Sequence, residues 1–402
     1  MPSILYFSCR YPEPLRESIM TNIKFSDSMS AVVFSDAIFS GLVECNANFV
    51  NINVPPVGYW PRMNSKLCSP SLTCVERNRD VWNVGMINMY ILRERSIYFQ
   101  TYKTIKRVLK GNPAACLVYA INVPVMRAIL RYRRRYAPDT KIIMVIPDFI
   151  EDMYSEGTLK SKIKRILDGN IDDLYKQVDG FVYLTEQMKV RTKSTKPYRV
   201  VEGIYDQANE QYIASDCNSS LKTIFYSGKL HQKFGARLLV DAFRLIKDDA
   251  ARLVLCGSGD CEDYIKSCAE LDNRIIFKGQ IPREECIRLQ AQAKLLVNPR
   301  TPEGEFTRYS FPSKNIQYLA SGIPTLIYRL EGIPQEYYNY CLSIDGGDLS
   351  VETLSKAMQK GINLSSNECV ELGESARDFV VKNKNAQVQC EKILDLISEL
   401  QS

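Results

Sequence analysis

Short, almost wholly apolar runs recur along this chain, separated by segments of helical period. Ala115 to Ala120 (ACLVYA), Lys141 to Ile146 (KIIMVI), Gly180 to Leu184 (GFVYL), Arg252 to Cys256 (RLVLC) and Ala293 to Val297 (AKLLV) are the clearest. Each has strand length, and its apolar residues are consecutive rather than alternate. A strand of that pattern is buried on both faces, as in a parallel sheet covered by helices. The intervening helical segments supply the crossovers that parallel strands need. The expectation is an α/β chain that binds its ligands beyond the carboxyl ends of its strands.

In the first half, Ile4 to Phe7 reads as a strand ending at Ser8-Cys9-Arg10, and Phe49 to Val54 as a strand ended by Pro55-Pro56. Helices are expected over Asn22 to Gly41, with Gly41 as the stop, and over Ile97 to Lys110, Val123 to Tyr136 and Thr158 to Tyr175. Around Val200 to Asp206 (VVEGIYD) the pattern pauses, and a polar stretch runs to Ser220. That pause is read as a domain boundary. The alternation then restarts. Thr223 to Ser227, Arg274 to Gly279, Thr325 to Tyr328 and Cys341 to Ile344 read as further strands. Helices are expected over Ala236 to Ile246, Asp260 to Leu271, Arg283 to Ala291, Ser313 to Ser321, Val351 to Gly361, Ser365 to Asn383 and Gln387 to Leu400.

With 402 residues, 45% hydrophobic and 24% charged, the chain is long enough for two globular domains. Its thirteen cysteines include no C-x-x-C pair, and His231 is the only histidine, so no metal site is expected. The odd cysteine count suits a reducing compartment, and the N-terminus lacks an export signal, so a cytoplasmic location is expected. No apolar run approaches the roughly 20 residues that span a bilayer.

Two features of the first half have a functional and a plain reading. Asp148 follows the strand Lys141 to Ile146. It either orients or deprotonates an acceptor hydroxyl, or it caps a turn; Glu151 and Asp152 are weaker candidates. Arg127, Arg131, Arg133, Arg134 and Arg135 crowd one helix, and Lys160, Lys162, Lys164 and Arg165 another. These are solvated faces or the means of meeting an anionic membrane surface from its cytoplasmic side. Nucleic acid is not an expected partner, because no recognition motif is present and acidic residues are interspersed.

In the second half, two loops are built for an anion. Gly228-Lys229-Leu230-His231-Gln232-Lys233-Phe234-Gly235 joins a strand to a helix with two lysines in a Gly-bounded loop. Asn298 to Leu326 passes from strand through loop to helix, with Arg300, Arg308, Ser310, Ser313 and Lys314 at the helix start. Backbone N–H groups, hydroxyls and cations at such a place suit a diphosphate. The alternative is an ordinary crossover with a solvated basic loop. Gly257-Ser258-Gly259 lets backbone approach a ligand closely.

The run Tyr309-Ser310-Phe311-Pro312-Ser313-Lys314, continued by Tyr318-Leu319-Ala320-Ser321-Gly322 and Pro324, resembles the donor-binding motif of retaining GT-B glycosyltransferases. That large group includes bacterial capsule and lipopolysaccharide sugar transferases. Gly228 to Gly235 resembles the same family's phosphate loop, Val201-Glu202-Gly203 its interdomain linker, and Arg274 to Gly279 the strand beside the nucleotide base. The family usually has Glu where this chain has Gln317, and that Glu is associated with the ribose hydroxyls. The first acid of the wider motif would fall on Tyr309, so neither acid is present.

The resemblance implies two Rossmann-like parallel-sheet domains facing a cleft. Residues 1–203 would bind the acceptor and 204–385 the nucleotide-sugar donor, with 386–402 a helix packing back on the first domain. The donor contacts it implies are Gly228, Lys229, Lys233, Gly257, Phe277, Lys278, Arg300, Tyr309, Ser310, Phe311, Ser313, Lys314 and Gln317. Lys233 and Lys314 would stabilise the departing diphosphate, and Asp148 would serve the acceptor. No cofactor beyond the donor substrate is implied. The implied activity is transfer of a sugar, with retention, to a glycan or lipid-linked acceptor in surface-polysaccharide biosynthesis. Two alternatives stand beside it. A nucleotide-sugar epimerase of the same architecture needs acids and histidine in its cleft, and a single histidine speaks against it. A non-catalytic binding subunit would keep the fold alone.

Overall fold

The computed structural model of the chain describes residues 3–23, 29–109, 112–149, 165–166, 168–207 and 222–402. Glu151, Asp152, Lys160, Lys162, Lys164, most of the helix expected over Thr158 to Tyr175 and most of the polar stretch after Asp206 lie outside those residues. The chain divides into two compact units, one of residues 1–204 with 386–402, the other of residues 205–385.

Among the described residues the first unit has ten strands: β1 (Ile4–Ser8), β2 (Phe49–Asn53), β3 (Cys68–Ser69), β4 (Leu72–Glu76), β5 (Arg79–Asn83), β6 (Met86–Ile87), β7 (Ala115–Tyr119), β8 (Lys141–Ile146), β9 (Gly180–Tyr183) and β10 (Tyr198–Val200). Eight of them form one sheet in the order β10-β9-β8-β7-β1-β2-β5-β4, and β3 pairs with β6. Every pairing in the large sheet is parallel except β4 with β5. The strand order reverses between β1 and β7, which leaves a crevice at their carboxyl ends. The interior strands β1, β2, β7 and β9 are buried along their whole length, as their unbroken apolar runs require. The sequence reading assigned nothing between Pro56 and Ile97. In the β4–β5 hairpin found there the edge strand β4 alternates half-buried and exposed residues, and the hairpin turns on Arg77 and Asn78, both at positive φ.

Gly41 does not stop its helix, which runs Met29–Glu44. A Cβ at Gly41 would lie 2.2 Å from the Ala386 carbonyl oxygen and 2.4 Å from Cys390 Sγ. The missing side chain is a contact surface for the helix Ala386–Gln401. That helix buries Cys390, Ile393, Leu396 and Ile397 in the same core as Ile4, Tyr6, Leu117 and Val145. Burial of each such aliphatic side chain contributes about 1.5–3 kcal/mol at most.

The second unit is a six-stranded sheet of β11 (Lys222–Lys229), β12 (Ala251–Ser258), β13 (Ile275–Gly279), β14 (Leu295–Asn298), β15 (Thr325–Tyr328) and β16 (Leu342–Ile344). Its order is β13-β12-β11-β14-β15-β16, and every pairing is parallel. The reversal falls between β11 and β14, so the loops leaving these two strands flank the crevice. β11 and β12 run further than the sequence suggested. Gly228 and Lys229 still pair with Gly257 and Ser258, because neither glycine has a side chain to separate the backbones.

Candidate functional site

The crevice of the second unit begins at Gly228 and Gly257, which face each other across β11 and β12. Both have positive φ, and a Cβ on Gly257 would lie 1.8 Å from the Gly228 carbonyl oxygen. A Cβ on Gly228 would in turn lie 2.4 Å from Lys314 Cε and 3.3 Å from both Lys314 Nζ and Tyr226 Oη. Gly228 thus forms a floor against which the end of the Lys314 side chain rests, and Gly257 backs it. Lys314 opens the helix Lys314–Ala320, and Ser313 before it makes no capping bond.

Burial holds the Lys314 amine below the ordinary lysine value, and the Cys286 and Cys256 sulfurs act the other way. Those two thiols hydrogen-bond to one another. The bond from Cys256 pulls the Cys286 thiol down to about 6, against its own burial, and pushes Cys256 up. Among the described residues Lys314 makes no ion pair with a carboxylate. A partly desolvated cation without a carboxylate is available to an arriving anion.

The loop after β14 supplies a second cation. Arg300 Nη2 donates to Ser310 Oγ, and Ser310 Oγ donates to the Phe306 carbonyl at 3.1 Å. The Arg300 guanidinium lies 4.8 Å from the Phe306 ring centroid and 5.9 Å from that of Phe234. Lys233 Nζ is 5.1 Å from the same Phe234 ring. Loops from opposite sides of the reversal therefore bring Lys233 and Arg300 to one aromatic ring. Gly235 permits this, since a Cβ there would meet the Pro299 carbonyl oxygen at 2.0 Å. Burial pushes the Tyr226 hydroxyl up, opposed by Arg300, so the phenol remains a neutral donor.

The other residues read from the sequence are spread around this centre. Lys229 is exposed at the end of β11. Phe277 and Lys278 lie on the edge strand β13, whose Gly279 pairs with Cys256. Gln317 is half-buried in the first turns of the helix. Tyr309 Oη donates to Glu305 at 3.3 Å, and Arg308 is committed to Glu331. Phe311 is buried with its ring 5.2 Å from Tyr337, so its face is spent on packing. His231 Nδ1 lies 3.0 Å from Asp260 and fastens the β11 loop to the β12 loop. Asp148 lies in the first unit, exposed just past β8, close enough to Tyr119 to raise its hydroxyl.

The sequence reading missed Tyr318, whose buried hydroxyl accepts from the Ser227 backbone N–H at 3.0 Å. It also missed Cys256 and Cys286. Tyr318 stood within a quoted motif, whereas nothing in the spacing of the cysteines brings β12 and the helix Arg283–Ala291 together.

On the first-unit helix Val123–Tyr136, Arg127 donates to the Asp168 carbonyl and Arg133 pairs with Asp179. Both are tied inward. Arg131, Arg134 and Arg135 remain exposed, beside Tyr136 at 41% and Phe99 at 62% exposure. No helix among the described residues is long and apolar enough to cross a membrane.

Residues 221–363 match the family model described as glycosyl transferases group 1. That match lies within the second unit. No curated protein sequence matches the chain. Among solved structures it is similar to sucrose-phosphate synthase from Thermosynechococcus elongatus, at 15% identity and a TM-score of 0.68, over 100% of this chain and 99% of that one. It is similar to an E. coli trehalose-6-phosphate protein bound with UDP-2-fluoro glucose, at 12% identity and a TM-score of 0.63, over 99% of both chains. It is similar also to the lipopolysaccharide outer core galactosyltransferase WaaB in its apo form, at 10% identity and a TM-score of 0.60, over 99% of both. These likenesses establish the fold, two parallel-sheet units of the GT-B type.

Proposed function

We propose that the chain transfers a sugar from a nucleotide diphosphate to a hydroxyl acceptor, with retention, in the making of a cell-surface glycan. The observation that carries this reading is the Lys314 amine, lodged against Gly228 at the sheet's reversal point within the matched segment. In this reading the donor's diphosphate lies over Gly228 and Gly257, where side chains would exclude it. Lys314, Arg300 and Lys233 meet the negative charge that builds on the leaving group as the anomeric bond breaks. Fixed charge of this kind is usually the largest contribution in such sites. Phe277 to Gly279, at the rim of β13, flank the base, and Gln317 takes the ribose hydroxyls. The acceptor attacks from the face the diphosphate leaves. The departing phosphate then takes the hydroxyl proton, with Asp148 orienting the acceptor.

The scheme requires the donor and an acceptor hydroxyl, and the positive charge that meets the diphosphate comes from side chains. The surface-glycan assignment is supported by the motif's resemblance and by the likeness to a lipopolysaccharide galactosyltransferase. The exposed Arg131, Arg134 and Arg135, with Phe99 and Tyr136 beside them, suit an anionic membrane surface. A thermal-shift series with UDP, GDP, ADP and CDP tests the donor site, since a ligand of the native state alone raises its melting temperature. Sugar release from the stabilising donor, and its loss in Lys314→Ala, tests the chemistry. A donor that binds and is never cleaved would leave a non-catalytic subunit.

A further inference from the structure

We propose that Asp260, on the loop after β12, is a positioning residue for the donor's diphosphate, acting through the two cations that flank Phe234. The inference rests on the reading of this crevice as the donor site. Asp260 belongs to the β12 loop, but its carboxylate is taken up by the loop after β11. Oδ1 accepts from the Gln232 N–H at 2.9 Å, and Oδ2 lies 3.0 Å from His231 Nδ1. The Asp260 backbone nitrogen is 3.3 Å from the same His231 atom. The Gln232 N–H first, and the His231 contact next, hold the carboxyl below the ordinary carboxylate value. A plainer use for an aspartate here would be to cap the helix that follows. That helix, Glu262–Leu271, has Cys261 at its N-cap and takes no side-chain capping bond. The carboxylate therefore serves the β11 loop.

These bonds fall where the β11 loop carries its charge. At their roots the two loops are already joined. The Leu230 N–H donates to the Ser258 carbonyl at 2.8 Å, and the Cys261 N–H to the Leu230 carbonyl at 3.0 Å. Gly259 permits the approach, since a Cβ there would lie 2.3 Å from the Leu230 carbonyl oxygen. Asp260 carries the seam two residues further, to Gln232, the neighbour of Lys233. The His231 ring meets Phe234 edge-on, with centroids 6.0 Å apart. Phe234 is the ring that Lys233 and Arg300 share, and it meets Phe306 edge-on at 6.2 Å. A line of contacts thus runs from Asp260 through His231 and Phe234 to both cations. Lys233 is exposed on a flexible stem, and ordering such a side chain on a phosphate costs entropy. Fixing its backbone and the ring beneath it in advance lowers that cost.

The test is a double-mutant cycle on the full chain, read by calorimetry with UDP, GDP, ADP and CDP. Asp260→Ala should weaken whichever nucleotide diphosphate binds by about tenfold, the worth of one such hydrogen bond. Its melting temperature should change little, because an exposed pair adds little to stability. In a Lys233→Met background the same change should cost less than about threefold, since a cation that Asp260 positions is gone. Asp260→Asn keeps an oxygen for the Gln232 N–H and should bind within about threefold of the unaltered chain. His231→Leu cuts the same line at its second member and should reproduce the loss; it serves if Asp260→Ala fails to fold. An unchanged affinity, equal losses in the two backgrounds, or no recovery in Asp260→Asn overturns the proposal. Nucleotide binding that is intact and indifferent to Asp260 and His231 overturns the positioning role alone. An unaltered chain that binds none of the four nucleotides overturns the donor reading and the positioning role with it.

Discussion

Replacing Lys314 with methionine keeps the methylene stem that packs on Gly228 and removes only the ammonium. The fold should survive, because the charge makes no ion pair with a carboxylate among the described residues. At 4 Å and an effective dielectric of about 20, the ammonium and one phosphate charge attract by about 4 kcal/mol, an upper bound. A hydrogen bond to a charged group is worth about 1.5–3 kcal/mol net. Nucleotide diphosphate affinity should therefore fall about tenfold to 150-fold, measured by calorimetry on samples matched by circular dichroism. The pH dependence is a second signature. The free protein holds the Lys314 amine below the ordinary value, and a bound diphosphate raises it. Affinity is then greatest below the lowered value of the free protein and falls as pH rises from it toward the higher value of the complex. In Lys314→Met that dependence should vanish. A well-folded variant whose dissociation constant changes less than about threefold, with the wild-type pH profile, would refute the argument.

Other outcomes follow from the same geometry. Gly257→Ala, whose Cβ would meet the Gly228 carbonyl at 1.8 Å, should lose about 3 kcal/mol in urea denaturation and most donor binding. Gly279→Ala, with nothing within 4 Å, should lose only about 1 kcal/mol; equal losses would mean that backbone conformation, not crowding, sets the cost. Cys286, drawn down to about 6 by Cys256, should alkylate with iodoacetamide well below pH 9, and a bound nucleotide diphosphate should slow it. Gln317→Glu should tighten nucleotide diphosphate binding about fivefold if the side chain takes the ribose, since a charged acceptor adds about 1 kcal/mol. A weaker complex would remove Gln317 from the site.

How much could be read in the residues depended on how far apart in sequence the determinants lay. β8 and β15 and the helix Val123–Tyr136 were legible to the residue, because an unbroken apolar run or a helical period bounded by turn residues is local information. Gly41 was misread for the opposite reason. Its role is set by Ala386 and Cys390, more than 340 positions away, and a glycine that admits a neighbouring helix resembles one that ends its own. The extension of β11 through Gly228 likewise depends on Gly257 across the sheet. At the candidate site, Lys314 and Gly228 stood in motifs, but their contact did not. The thiol pair beside them carries no local signature at all. Only folding brings them together.

The helix Ala386–Gln401 completes the core of a unit whose other residues precede position 205. On the ribosome, the 181 residues from Tyr205 to Asn385 must be made before that last piece exists. At roughly 5–20 residues per second this is a wait of about 10–40 s. During it the groove meant for Cys390, Ile393, Leu396 and Ile397 stands open on the nascent chain. The half of the molecule synthesised first is thus the last able to finish folding, and a truncation near residue 386 should harm the beginning of the polypeptide more than its middle.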